Sequence, residues 1–148
     1  MLRKLLVLAA LLGLAACAGL GLKKPDISLA DIKPVSASLL EQSFDVTLRL
    51  QNPNNLPLSA DGLQFDLLLA GNKLATGVSN QPIKVAALAD TTFTVRVHTS
   101  LTGWLKQVGK LMDGNTRQLD YQINGRLEGL NGFGSLPFTS KGEWKLPQ

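Results

Sequence analysis

The recurrence of apolar residues along the chain marks out its elements. From 44 to 51, Phe44, Val46, Leu48 and Leu50 alternate with Asp45, Thr47, Arg49 and Gln51. A period of two puts these sets on opposite faces of a strand, one buried and one wet. The run stops at Asn52-Pro53-Asn54-Asn55, because Pro53 has no N–H for a ladder and Asn side chains bond their own backbone. Leu56-Pro57-Leu58 is expected to return apolar side chains to the core. The same alternation recurs at Leu63, Phe65, Leu67 and Leu69, at Phe93, Val95 and Val97, at Leu119, Tyr121, Ile123 and Leu127, and at Leu136, Phe138, Trp144 and Leu146. Earlier, Ile27 and Leu29 alternate with polar residues until the phase changes near Ala30, which predicts a bulged edge strand ended by Pro34. Gly71-Asn72 predicts a hairpin turn into 73–78, within which Gly77 marks a bulge or a close backbone approach. Residues 81–85 read as a short extended piece, and 130–135 as a Gly-rich turn.

One segment changes period. Leu101, Trp104, Leu105, Val108, Leu111 and Met112 recur at intervals of one, three and four, the spacing of an amphipathic helix. Ser100 or Thr102 can cap its start and Gly114 can end it. Gly103 and Gly109 each cost ~1 kcal/mol relative to Ala, so packing must hold this helix. Strands with turn signals between them predict a mainly β fold, an antiparallel β-sandwich with one short amphipathic helix inserted before the last strands. Trp104 and Met112 are expected in the core. The alternative is an apolar groove between helix and sheet, as a carrier of lipid or another hydrophobic ligand would need.

Length and charge narrow the picture. The chain has 148 residues, 45% of them apolar, which fits one globular domain. Net charge is +4, with 15 Lys+Arg against 11 Asp+Glu. The basic residues after Lys4 are scattered apart from Lys23-Lys24, so no nucleic-acid partner is expected.

The first residues carry an address. Arg3 and Lys4 precede an apolar run over 5–14, too short to cross a bilayer of ~30 Å and suited to a signal peptide. Leu14-Ala15-Ala16-Cys17 resembles the bacterial lipobox, and Cys17 is the only cysteine. That resemblance implies cleavage before Cys17 and acylation there, where several acyl chains hold a membrane stably and one does not. It divides the chain into a signal peptide over 1–16, a lipidated tether over 17–25 and a domain over 26–148. Loss of Arg3 and Lys4 lowers the net charge from +4 to +2. Ala18, where Gram-negative lipoproteins kept in the inner membrane resemble one another in having Asp, points to the periplasmic face of the outer membrane. The stretch 18–24 reads as a flexible tether.

The order Asn52-Pro53-Asn54, then Pro57, then a hairpin with glycine before and after its second strand, here Gly71 and Gly77, resembles the late embryogenesis abundant (LEA) type 2 family. This is the WHy domain, named for water stress and hypersensitive response, and the likeness spans about 27–127. It implies a compact antiparallel sandwich similar to fibronectin type III and immunoglobulin domains. It also implies a role in tolerance of desiccation, cold and other stress, without enzymatic activity.

No constellation points to catalysis. His98 is the only histidine, lies on the outward parity of its strand and has no cysteine or carboxylate beside it in sequence. Asp26, Asp31, Asp61, Asp66 and Asp90 are dispersed. Gly132-Phe133-Gly134 lies between strands with no lysine of a phosphate cradle behind it. No catalytic residue, metal site or cofactor is expected. For the Asn52-Pro53-Asn54 motif two readings stand: a fixed strand end with satisfied backbone groups, and a polar surface for a client. The expected partners are the membrane, through Cys17, and client proteins or lipid, with the domain a monomer. The first functional expectation is a non-catalytic stress-protection module of the envelope. The others are a carrier and a partner that lends an edge strand to an envelope complex.

Overall fold

The computed structural model describes residues 22–37, 41–100, 118–132 and 134–145. Nine strands follow one another: β1 (Asp26–Ala37), β2 (Glu41–Gln51), β3 (Leu58–Ala60), β4 (Gly62–Leu69), β5 (Asn72–Ser79), β6 (Ile83–Val85), β7 (Asp90–Ser100), β8 (Gln118–Glu128) and β9 (Ser135–Lys145). Seven form one antiparallel sheet in the order β1-β2-β7-β5-β4-β8-β9, and β3 and β6 pair beside it. The sheet curls until β1 comes against β9, giving a nearly closed barrel. The two-sheet sandwich expected from strand spacing is therefore replaced by one sheet bent round on itself, whose thinnest junction is a single bridge, Thr76 opposite His98. The expected helix, with Trp104 and Met112, lies outside the described residues, as does the groove beside it.

The alternating patterns bury the faces they should. Phe44, Val46, Leu48 and Leu50 from β2, Leu63, Phe65, Leu67 and Leu69 from β4, and Val95 and Val97 from β7 all point inward. They meet Tyr121, Ile123 and Leu127 from β8 in one core. Each such side chain removed from water contributes roughly 1.5–3 kcal/mol before the entropy of ordering is subtracted. On the outside of β2 and β7 the opposed polar residues pair: Asp45 with Arg96, Thr47 with Thr94, and Arg49 with Asp90 of the next position.

Three local expectations need correction, and a fourth is narrowed to one of its alternatives. The bulge near Ala30 is present, but β1 runs through Pro34 to Ala37. An edge strand has one row of N–H groups without a ladder partner, so a proline is tolerated there. Leu56 is half exposed while Leu58 is buried, since β3 begins only at Leu58. The hairpin turn falls on Ala70-Gly71, not Gly71-Asn72: φ is 47° and 76° at these two residues, and Leu69 pairs with Asn72. Two consecutive positive φ values make the I′ turn that matches strand twist. The register shift in this hairpin lies at Leu74, between Lys73 and Ala75. Of the two readings of Gly77, the close approach is the one found, because a Cβ there would overlap the Phe65 ring.

Candidate functional site

One end of the barrel gathers the N-terminal segment, the β2–β3 and β6–β7 loops and the β8–β9 turn, with the Asn-Pro-Asn motif at its centre. Asn52 is 1% exposed. Its backbone N–H donates to the Ala89 carbonyl at 2.9 Å. Its Nδ2 donates to the Leu56 and Ala86 carbonyls at 2.7 and 3.1 Å. Its Oδ1 accepts from both the backbone N–H and the Nδ2 of Asn54, each at 3.1 Å. Every polar atom of this buried amide is thus matched, which is what burial of such a group requires. Pro53 ends the β2 ladder and turns the chain so that Asn54 follows.

Asn54 works outward from the same hub. Its Oδ1 accepts the Lys23 N–H at 2.7 Å and its Nδ2 donates to the Lys23 carbonyl at 2.8 Å. One side-chain amide thereby pairs with a backbone residue as a neighbouring strand would. Its carbonyl accepts from the Leu88 N–H at 2.8 Å. Part of the stretch 18–24 expected as a flexible tether is held in place: Lys23 is tied down, and Pro25 beyond it is buried. The structural reading of the motif is supported by these bonds, which fix three segments of chain at one point.

Beside the hub is a hollow of about 140 Å³, lined among others by Leu22, Lys24, Pro25, Leu56, Pro57 and Leu136. Its rim is apolar. Leu22 and Leu56 are 50% and 52% exposed, and Leu88, held to Asn54, is 73% exposed. Leu88 also has φ of 54°. It stands third in the turn Ala86-Ala87-Leu88-Ala89, closed by the Ala89 N–H on the Ala86 carbonyl at 3.4 Å, a place that favours glycine. Lys23, Lys24 and Lys84 are exposed at this end.

The structure brings Asn52, Pro53, Asn54 and Pro57 together here and leaves Gly71 and Gly77 elsewhere, in the distal hairpin and at mid-sheet. Cys17 lies outside the described residues. Leu22, Leu88 and the Lys23 clamp escaped sequence reasoning. The one available signal for Leu88 was a lone leucine amid alanines just before a strand, which is a weak one.

The rest of the surface shows paired charge. Arg96 grips Asp45 with two bonds of 2.9 and 3.0 Å, and this holds the Asp45 carboxyl below its ordinary value. Arg49 lowers Asp90 in the same way, and Lys73 with Thr76 lowers Asp66. His98 is exposed and its Nδ1 lies 3.3 Å from the Ser43 hydroxyl. Among the described residues no three of His, Cys, Asp and Glu converge as a metal site would require.

With this geometry in hand, comparison with known proteins decides the family. Residues 47–142 match the family described as late embryogenesis abundant protein, LEA_2. The chain belongs to that family. No curated protein matches it. Among solved structures, a solution structure of an Arabidopsis thaliana protein is similar over 86% of this chain and 85% of that one, at 22% identity and a TM-score of 0.58. A second solution structure, described as a late embryogenesis abundant protein, aligns over 98% of this chain and 86% of its own at 19% identity and a TM-score of 0.48. A crystal structure from Archaeoglobus fulgidus aligns over 86% and 99% at 13% identity and a TM-score of 0.46. The first of these likenesses speaks for the fold alone.

Proposed function

We propose that this LEA family member is a lipoprotein of the WHy type, anchored through Cys17 at the periplasmic face of the outer membrane, where it protects envelope proteins or the membrane when water is withdrawn. It works by contact, without catalysis. The observation that carries the protective role is the family match over 47–142, the family being named for late embryogenesis, when tissue dries. The pairing of polar side chains across β2 and β7 supports it, since a face that satisfies its own charges stays folded as bulk water becomes scarce. The lipobox-like run supports the anchor.

Deletion of the gene should lower survival after drying or freezing, and the wild-type gene should restore it. Cys17→Ala should restore less, because the module would no longer be held at the membrane. Equal survival of deletion and wild-type cells would remove the protective reading, and full rescue by Cys17→Ala would remove the anchored one.

A further inference from the structure

The end of the barrel built on Asn52 and Asn54 displays apolar side chains that nothing in the fold needs. Leu22, Leu56 and Leu88 are each at least half exposed, yet all three are fixed to one hub. Leu22 precedes the clamped Lys23, the Leu56 carbonyl is bound by Asn52, and the Leu88 N–H is bound to Asn54. Leu88 is the most telling. Glycine or asparagine would occupy its left-handed turn position more easily, and a leucine there stands out into solvent. Backbone strain spent on exposing a greasy side chain is a mark of function when the surroundings hold it in place.

Lys23 and Lys24 line the hollow with Leu22 and Leu56, Lys84 lines a neighbouring one with Pro57 and Ala86, and none of the three is in an ion pair among the described residues. Exposed Asp26 and Asp61 share this end, so apolar contact outweighs charge. Four residues lie between Cys17 and Leu22, five Cα steps with a reach of at most ~18 Å. We propose that this end of the fold lies on a phospholipid bilayer, with Leu22, Leu56 and Leu88 entering the headgroup layer and the three lysines at its rim. The proposal deepens the lipid-anchored reading of Cys17: the anchor sets the distance, and the leucines set the orientation. The barrel then stands on the membrane by its Asn-Pro-Asn end, its Ala70-Gly71 hairpin pointing away.

The test removes the acyl groups. Residues 17–148 with Cys17→Ser hold all nine strands and the whole described core. This chain is floated with vesicles of phosphatidylethanolamine containing a minority of phosphatidylglycerol. It is expected to rise with them. The combined substitution Leu22→Ser, Leu56→Ser and Leu88→Ser should lower the bound fraction about tenfold. Val35→Ser, at an exposed position toward the other end of β1, should bind as the parent does. Leu88→Gly alone should lower binding severalfold while raising the melting temperature, a combination that a misfolded variant cannot produce. An acyl-free chain that stays in solution overturns the proposal, as does a triple-serine chain that floats like its parent. The anchor is read separately, from the mass of the native chain extracted from membranes. Absence of acyl groups there would sink the anchor and leave the vesicle result to decide the docking surface.

Discussion

Asn52 uses its full hydrogen-bonding capacity at a position 1% exposed, with two donors on carbonyls and its oxygen on Asn54. Asn52→Asp keeps the shape and removes the donors, so a carboxylate oxygen would face the Leu56 and Ala86 carbonyls. The expected loss is ~2–4 kcal/mol, read from the urea midpoint. The introduced carboxyl would have its folded-state pKa raised, because only its protonated form can donate to a carbonyl. The protonated form therefore restores stability below the unfolded pKa, and that stability is lost as pH rises through the folded one. The deficit should be largest at neutral pH and shrink in acid. A pH-independent deficit would mean that the amide's donors do not matter. Leu88 makes the opposite case. Leu88→Gly removes left-handed strain at φ of 54° and should raise stability by ~1 kcal/mol in the same assay, although it deletes a side chain. Neither effect follows from local sequence. The partners of Asn52 and Asn54 lie up to 37 residues away, and the turn at Leu88 contains no glycine or proline to announce it.

Within the sheet, Phe65 of β4 lies opposite Gly77 on β5 and Gly125 on β8, and Gly125 lies opposite Phe138 on β9. Aromatic rings and bare backbone alternate across four strands, so the rings lie flat over their glycines. A Cβ on Gly125 would come within 2.6 Å of the Phe138 ring and of the Gln64 carbonyl. Gly77→Val is expected to cost about 3 kcal/mol by overpacking Phe65, and Phe65→Leu should recover part of that cost in the double variant. Additive losses in that cycle would show that the ring and the glycine are independent. On the outer side of β2 and β7, Asp45 and Asp90 are held below the ordinary carboxylate value by their arginines, and Asp66 on β4 by Lys73. Lowered acids stabilise the fold above the unfolded value and cease to do so as pH falls through their folded values. Stability should therefore decline below about pH 4, and replacing all three with asparagine should flatten that limb in acid denaturation. Exposed pairs are screened by solvent and salt, so the effect is modest. These elements were the legible part of the fold. Period-two alternation placed the buried faces of β2, β4, β7 and β8, because each has one face in the core and one in water. Pro34 misled because its tolerance depends on β1 being an edge. Leu56 misled because nothing local tells where β3 begins.

At the scale of the whole barrel, closure rests on two unequal junctions that strand spacing does not encode. Long ladders join β1 to β2 to β7, and others join β5 to β4 to β8 to β9, but among the described residues one bridge, Thr76 with His98, connects β7 to β5. On the other side β1 approaches β9, and the Leu29 N–H donates to the Tyr121 hydroxyl at 3.3 Å. The apolar interior holds the two halves against each other, but few backbone bonds resist their separation at the seam. Opening there should be the lowest-energy sub-global event. Hydrogen exchange should show the amides of Thr76 and His98 less protected than those of Val46, Leu67 and Ile123. A disulfide placed at this facing pair, Thr76→Cys with His98→Cys in a Cys17→Ser chain, closes a loop of about 20 residues and should add ~3 kcal/mol when oxidised. Oxidation should also bring exchange at 76 and 98 to the level of the core strands. If those two amides are already as protected as Leu67 in the reduced chain, the seam does not open and the barrel unfolds as one unit.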